Sequence, residues 1–392
     1  MRLFDDIDRT RPEPAGHSQP TFEYMNSTGR TEFGLVRVFL EEWFDAYPDA
    51  HKLNLRSRFR SPIDTQHHAA FFELLLFQLF RRLGATAEVH PPLPGQSRSP
   101  DFLIHPLDNA SFLVEATIVT FLSDEDAAGE ARLRQVYDVL DRHVDSANFF
   151  IWVDVDSSPK TPPPARRIAT FINEKLRGVD PDSLASAHQE GGNDALPVWP
   201  FSHDGWSILF RPIPKKPAAR GKLGIRPLGM FSTGFRSVDH RTPIRVAALN
   251  KARSYGPVQL PFVIAINALE PIDDIDINEA LFGREKVTVY FRDGNPTGPE
   301  RTEMSRDPDG LWTSPSGPAR TQVSAVLIAS LLRPWSLGDA RLALYHNPWA
   351  TNPLAFGMHR IQQHMPRDRH LVRVEGEPLS SLLGTPWPLV AA

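Results

Sequence analysis

Cysteine is absent from this chain of 392 residues. Disulfides, zinc–thiolate centres, iron–sulfur clusters and cysteine nucleophiles are thereby excluded, and the composition fits a reducing, cytoplasmic compartment. No apolar stretch approaches the roughly 18 residues of a transmembrane helix, so neither a membrane span nor a membrane partner is expected. Met1 to Thr10 is rich in Asp and Arg and lacks an apolar centre, which predicts no secretory leader. A basic excess is missing too. The net charge of −4 argues against a histone-like coat on nucleic acid but leaves room for a local basic groove. The sequence holds no Gly-xxxx-Gly-Lys-Ser/Thr loop and no Gly-x-Ser-x-Gly elbow, which speaks against a P-loop nucleotidase and a serine hydrolase. His67-His68 and the pair His359/His364 lack zinc-ligand spacing and read as ordinary histidines.

What is present is a soluble-protein composition, 41% hydrophobic and 23% charged, with 37 prolines that predict stiff loops. Residues 1–30 are polar, proline-punctuated and without periodicity, as expected of a flexible or wrapping arm. Apolar spacing predicts helices over 31–48, 66–83, 127–144, Ala165–Leu176, Ile244–Tyr255 and Asp276–Phe282. Strands are expected at Thr86–His90, 101–105, 111–119, Phe149–Val155, Trp206–Pro212, Leu260–Ala268, 286–291, 322–329 and 341–346. A turn is expected over 106–109, and residues 178–205 read as loop. The alternation predicts an α/β fold, a mixed central sheet flanked by helices on both faces. No linker is evident, so 31–268 reads as the core with insertions and 269–392 as a β-rich elaboration of the same domain.

Three acids stand alone in apolar surroundings. Glu73 interrupts Ala69-Ala70-Phe71-Phe72-Glu73-Leu74-Leu75-Leu76-Phe77, Asp101 opens Pro100-Asp101-Phe102-Leu103-Ile104, and Glu115 interrupts Phe112-Leu113-Val114-Glu115-Ala116-Thr117-Ile118-Val119. Burying an ionised carboxylate costs several kcal/mol unless it is paired or bound to metal. Three such acids close in sequence suggest joint use, and a hard divalent cation is the simplest common partner. Alternate strand positions put residues 115 and 117 on one face, where a neighbouring strand can deliver Asp101.

In order, a helix with Glu73, a strand, a Pro-Asp strand and a strand with Glu-x-Thr resemble the PD-(D/E)xK nuclease superfamily over about residues 69–119. The resemblance implies a restriction-endonuclease-like core and a metal-dependent nuclease, hydrolysing phosphodiesters of DNA more readily than RNA, with a role in bacterial genome defence or repair. It implies Mg2+ or Mn2+ held by Asp101, Glu115 and the Ala116 carbonyl with help from Glu73. It also implies pairing as a homodimer or with a partner protein. The family's lysine position holds Thr117, which can hydrogen-bond a water but brings no positive charge. Lys251 stands as its replacement: Lys251-Ala252-Arg253-Ser254-Tyr255 has the spacing of the Gln-xxx-Tyr helix of some exonuclease-like branches, with Arg253 a weaker choice.

Basic stretches are expected to hold phosphates without reading bases: Arg56, Arg58 and Arg60 before the Glu73 helix, and Lys215, Lys216, Arg220 and Lys222, then Arg226, Arg236, Arg241 and Arg245. Tyr255 joins the nucleic-acid set through the same helix motif. Tyr345, His346, Asn347 and Trp349 form a polar, aromatic stretch suited to stacking. Two other readings stay open: an inactive nuclease-fold protein that binds nucleic acid or protein, favoured by the missing lysine, and an interaction protein whose buried acids form salt bridges.

Overall fold

The computed structural model describes residues 1–107, 109–155, 157–222, 225–233, 239–255, 258–290, 301–355, 358–367 and 370–385. Arg236, and position 108 of the expected turn, lie outside these. Contacts divide the chain into two compact units. Unit 1 is Met1–Glu13, Pro20–Phe121 and Asp239–Ala392; unit 2 is Pro14–Gln19 and Leu122–Val238. Where the sequence suggested one elaborated domain, a second unit with its own sheet and core is inserted between the strand carrying Glu115 and the helix carrying Lys251.

Unit 1 begins with three helices, α1 (Thr21–Ser27), α2 (Thr31–Asp45) and α3 (Asp49–Phe59), packed on a fourth, α4 (Asp64–Arg82). The first thirty residues are therefore not a bare arm: Leu3, Phe4, Phe22, Tyr24 and Met25 are buried. Their apolar side chains are too few and too widely spaced to show a period, yet each finds the core. α4 is buried almost all round, from His67 to Phe80, as its apolar run demands.

Three antiparallel strands follow, β1 (Ala85–Val89), β2 (Phe102–Pro106) and β3 (Phe112–Val119). The chain then builds unit 2: α5 (Asp124–His143), β4 (Phe149–Val155), α6 (Ala165–Arg177), α7 (Pro181–Gly191), β5 (Trp199–His203), β6 (Trp206–Pro214) and β7 (Leu228–Thr233). Its sheet order is β5-β6-β4-β7, and Ile151, Val153 and Phe210 pack with Leu140, Ile168 and Ile172 of its helices. The β5–β6 turn places Asp204 and Gly205 at φ of 47° and 72°, the left-handed pair that two-residue hairpins favour. α7 and β5 fall in the stretch expected as loop, because α7 buries only Leu184 and so shows no apolar stripe.

Unit 1 resumes with α8 (Arg241–Ala252), β8 (Phe262–Ala268), α9 (Asp274–Phe282), a hairpin of β9 (Glu285–Tyr290) and β10 (Arg301–Arg306), and the short pair β11 (Thr313–Ser314) and β12 (Gly317–Pro318). It closes with β13 (Ala325–Ser330), β14 (Arg341–His346), β15 (Gln362–Arg367), β16 (His370–Val374) and α10 (Leu379–Leu383). The main sheet runs β1-β2-β3-β8-β13-β14-β15-β16. β8 lies between β3 and β13, parallel to both, and all seven of its residues are buried, as an unbroken apolar run at the centre of a sheet predicts. Ile244, Ala248 and Ala252, four apart on α8, cover Leu113, Val119, Ile264 and Ile266 on one face, whereas Phe80 of α4 packs on Phe112, whose parity points it to the other. The molecule is mixed α/β, with a large mixed sheet flanked by helices.

Candidate active site

The pairs Val89↔Phe102 and Phe102↔Val114 fix the register of β1, β2 and β3. One position further stand His90, Asp101 and Glu115, so the three fall in one row across the sheet. The His90 N–H donates to the Asp101 carbonyl at 3.0 Å and continues the ladder. His90 itself sits at φ 48°, an uncommon conformation for a side chain with a Cβ. Its Nδ1 lies 3.9 Å from Asp101 Oδ1 and its Nε2 3.7 Å from Glu73 Oε1. Glu73, His90 and Asp101 each present one ligand atom, all within 4.8 Å of one another. The His51 ring stands edge-on to His90 at 5.4 Å.

Each carboxylate has its own support. The Ala116 N–H donates to Asp101 Oδ2 at 2.6 Å. Glu115 is buried; the Lys251 ammonium meets its Oε1 at 2.7 Å and the Tyr255 hydroxyl its Oε2 at 2.7 Å. Tyr255 also lies 3.0 Å from the Ser99 carbonyl, so one hydroxyl proton is shared between two acceptors. Glu73 is buried, with the Tyr47 hydroxyl on Oε1 and an Arg58 N–H on Oε2, both at 2.6 Å. Burial, reinforced by the Glu115 and Glu73 charges, pushes the Asp101 carboxyl up to about 7. Burial and then Glu73 raise the Tyr47 phenol above its ordinary range, and burial and then Glu115 do the same to Tyr255.

Of the residues singled out from sequence, Glu73, Asp101, Glu115, Ala116, Lys251 and Tyr255 are brought together. Thr117 shares the Glu115 face of β3, its hydroxyl 3.4 Å from the Ile118 carbonyl. The basic stretches are used differently from the expectation. Arg58 is committed to Glu73, Arg60 to Asp5, and Arg56 donates to the Arg2 carbonyl at 2.6 Å. In unit 2, Lys215 is buried against the Ser146 carbonyl at 2.8 Å and Arg220 pairs with Asp182 at 2.8 Å, while Lys216 and Lys222 are exposed.

Sequence reasoning missed His90, Tyr47 and Arg58 as members of the acid cluster. His90 follows β1 directly and precedes a proline run, a signal no stronger than that of any strand terminus. Tyr47 lies between two helices, and only the tertiary packing brings it to Glu73. No family model, no curated protein and no solved structure matches the chain.

Proposed function

We propose that unit 1 is a metal-dependent nuclease of the PD-(D/E)xK type, hydrolysing phosphodiester bonds, with DNA as the favoured substrate. The observation that carries this reading is the Lys251 ammonium 2.7 Å from Glu115, which restores to the acid strand the positive charge that Thr117 lacks. The order α4-β1-β2-β3-α8-β8, with an antiparallel meander and a parallel return strand, supports the same core.

The donor set suits a divalent cation. Two carboxylates and an imidazole converge at ligand spacing, and the crowding that lifts Asp101 is what a cation relieves. Asp101 with Glu115 and the Ala116 carbonyl, and Glu73 with His90, are the residues to hold it, and the imidazole favours Mn2+ over Mg2+. When bound, such an ion supplies Lewis-acid activation of water and offsets charge on the phosphate. The chain's own groups do the rest. Lys251 contributes a cation beside the attacked phosphate and a proton donor for it. Tyr255 and Arg58 keep the Glu115 and Glu73 carboxylates in place.

The test is cleavage of supercoiled, linear and single-stranded DNA and of RNA with Mn2+, Mg2+ or EDTA, beside Asp101→Ala, Glu115→Ala and Lys251→Ala. Metal-dependent cleavage is expected, lost by 100-fold or more in each variant, by analogy with the removal of other groups that stabilise a transition state (roughly 10²–10³). Full activity in Lys251→Ala would remove the central observation. The inactive-binder reading rests on Thr117 alone; folded wild-type protein that binds DNA but never cuts it would establish that reading instead.

A further inference from the structure

We propose that Lys251 is the displaceable counter-ion of the acid cluster: a divalent cation takes its place on Glu115, and the released ammonium becomes free to meet a phosphate. This deepens the nuclease reading and rests on it. Both oxygens of Glu115 are engaged, Oε1 by the Lys251 ammonium and Oε2 by the Tyr255 hydroxyl, each at 2.7 Å. Both oxygens of Glu73 are engaged too, by the Tyr47 hydroxyl and an Arg58 N–H at 2.6 Å. Asp101 Oδ2 accepts the Ala116 N–H, and its Oδ1 faces His90 Nδ1 at 3.9 Å. A cation bound by Glu115 as well as Asp101 therefore enters ground that an ammonium already holds, and like charges that share one carboxylate repel.

Charge balance points the same way. Glu73, Asp101 and Glu115 bring three carboxylates, and Arg58 and Lys251 set two cations against them. One excess carboxylate is left, whereas affinity for a hard cation rises with the charge of its ligands. Release of one internal cation strengthens the site, and the two are tied differently. Arg58 is held twice, by Glu73 and, through its Nε, by Asn54 Oδ1 at 2.9 Å. The Lys251 side chain makes one hydrogen bond among the described residues, that to Glu115, and is 27% exposed on a flexible four-carbon stem. Lys251 is thus the one that can leave, while the Tyr255 hydroxyl stays to orient Glu115. On Glu115 the ammonium satisfies a buried carboxylate that would otherwise be uncompensated. The exchange links two events: the ammonium is offered to phosphate only when the cation is in place.

Calorimetric titration of the full chain with Mn2+ tests the exchange without reading cleavage. Lys251→Gln and Lys251→Met, which remove the charge, are expected to bind Mn2+ about tenfold or more tightly than wild type, a size usual for coupled sites. Tyr255→Phe, which frees the other Glu115 oxygen without changing the charge, is expected to stay within about threefold, below that coupling. Circular dichroism checks that each variant is folded. Wild-type protein gives a second readout that needs no variant. Amine acetylation followed by peptide mass spectrometry should modify Lys251 about threefold or more faster in Mn2+ than in EDTA, because an ammonium held by a carboxylate is the less available. Equal or weaker Mn2+ binding in the folded Lys251 variants, or unchanged acetylation of Lys251 in Mn2+-saturated wild type, overturns the exchange. Either result leaves the nuclease reading standing, with the cation on the His90 side of the cluster. If neither wild type nor the Lys251 variants bind Mn2+, the exchange fails together with the cation-dependent reading of the site.

Discussion

Asp101 is where folding and the proposed chemistry oppose each other. Its folded pKa is raised to about 7 from 3.8, so the native state holds the proton more tightly than the unfolded chain. The stabilisation this gives is full below about pH 4 and is lost as pH rises through about 7. At pH 8 the ionised group therefore costs stability, and Asp101→Asn, which can still accept from the Ala116 N–H, is expected to gain about 1–3 kcal/mol. The same variant is expected to lose any rise in melting temperature on adding Mn2+. A destabilised Asp101→Asn protein at pH 8 would show that the carboxylate is not under repulsion. His67 and His68 titrate in the opposite sense. Burial lowers both, His68 to about 3 against 6.5 unfolded, and His67 Nε2 and His68 Nδ1 have no hydrogen-bond partner among the described residues. The unfolded chain takes up protons first, so stability is present above about pH 6.5 and falls as pH drops below it; for His68 the fall continues toward pH 3, by about 1.4 kcal/mol per pH unit. His68→Gln should flatten the decline in melting temperature between pH 6.5 and 4.5 relative to wild type; an unchanged decline would mean that His68 protonates freely in the fold.

Among the elements, α8 ties the acid strand to the loop before β2. Its Ile244, Ala248 and Ala252 fix it on the sheet, and that packing aims Lys251 at Glu115 and sets Tyr255 between Glu115 and Ser99. Tyr255→Phe removes one hydroxyl from two acceptors, and a loss of about 1–2 kcal/mol in unfolding free energy, read from a denaturant titration, is expected, with kcat lowered and KM little changed as Glu115 loses its orientation. Unchanged kcat and KM in the folded variant would place Tyr255 outside the site. Much of this was legible before any coordinates. The apolar runs around Glu73, Asp101 and Glu115 predict three buried or half-buried acids; the helix expected to carry both Lys251 and Tyr255 ends at Ala252, so Tyr255 reaches Glu115 from just beyond it. The elements that escaped have physical reasons. α3 reads Asp-Ala-His-Lys-Leu-Asn-Leu-Arg-Ser-Arg-Phe and buries only Leu55 and Phe59, so it shows no stripe. β15 is mostly polar, and a strand of that kind is recruited by its neighbours through backbone pairing rather than by apolar alternation. His90 joins the acids only because the β1–β2 register is what it is, and register depends on long-range pairing that a single strand does not spell out.

For the molecule as a whole, the two units divide the sequence unevenly and the candidate chemistry falls on one side of that division. Glu73, His90, Asp101, Glu115, Lys251 and Tyr255 all belong to unit 1, although unit 2 separates Glu115 from Lys251 in sequence. The candidate arrangement thus depends on the β3–β8 pairing closing over an insertion from Leu122 to Val238, a closure whose entropic cost rises only slowly with length. Each unit has its own apolar core, Ile264, Ile266 and Tyr255 in one, Ile151, Val153 and Phe210 in the other. A cation held by the acid cluster stabilises only the state in which that cluster is assembled, by an amount that grows with its concentration over Kd. Hydrogen exchange with and without Mn2+ should therefore show slower exchange along β2, β3 and β8, with β4 and β6 unchanged. At 100 times Kd the gain in unit 1 should be about 2.7 kcal/mol, and Glu115→Ala should abolish it. Equal slowing in β4 and β6, or slowing that survives Glu115→Ala, would move the cation elsewhere and leave Lys251–Glu115 as an ion pair of the core.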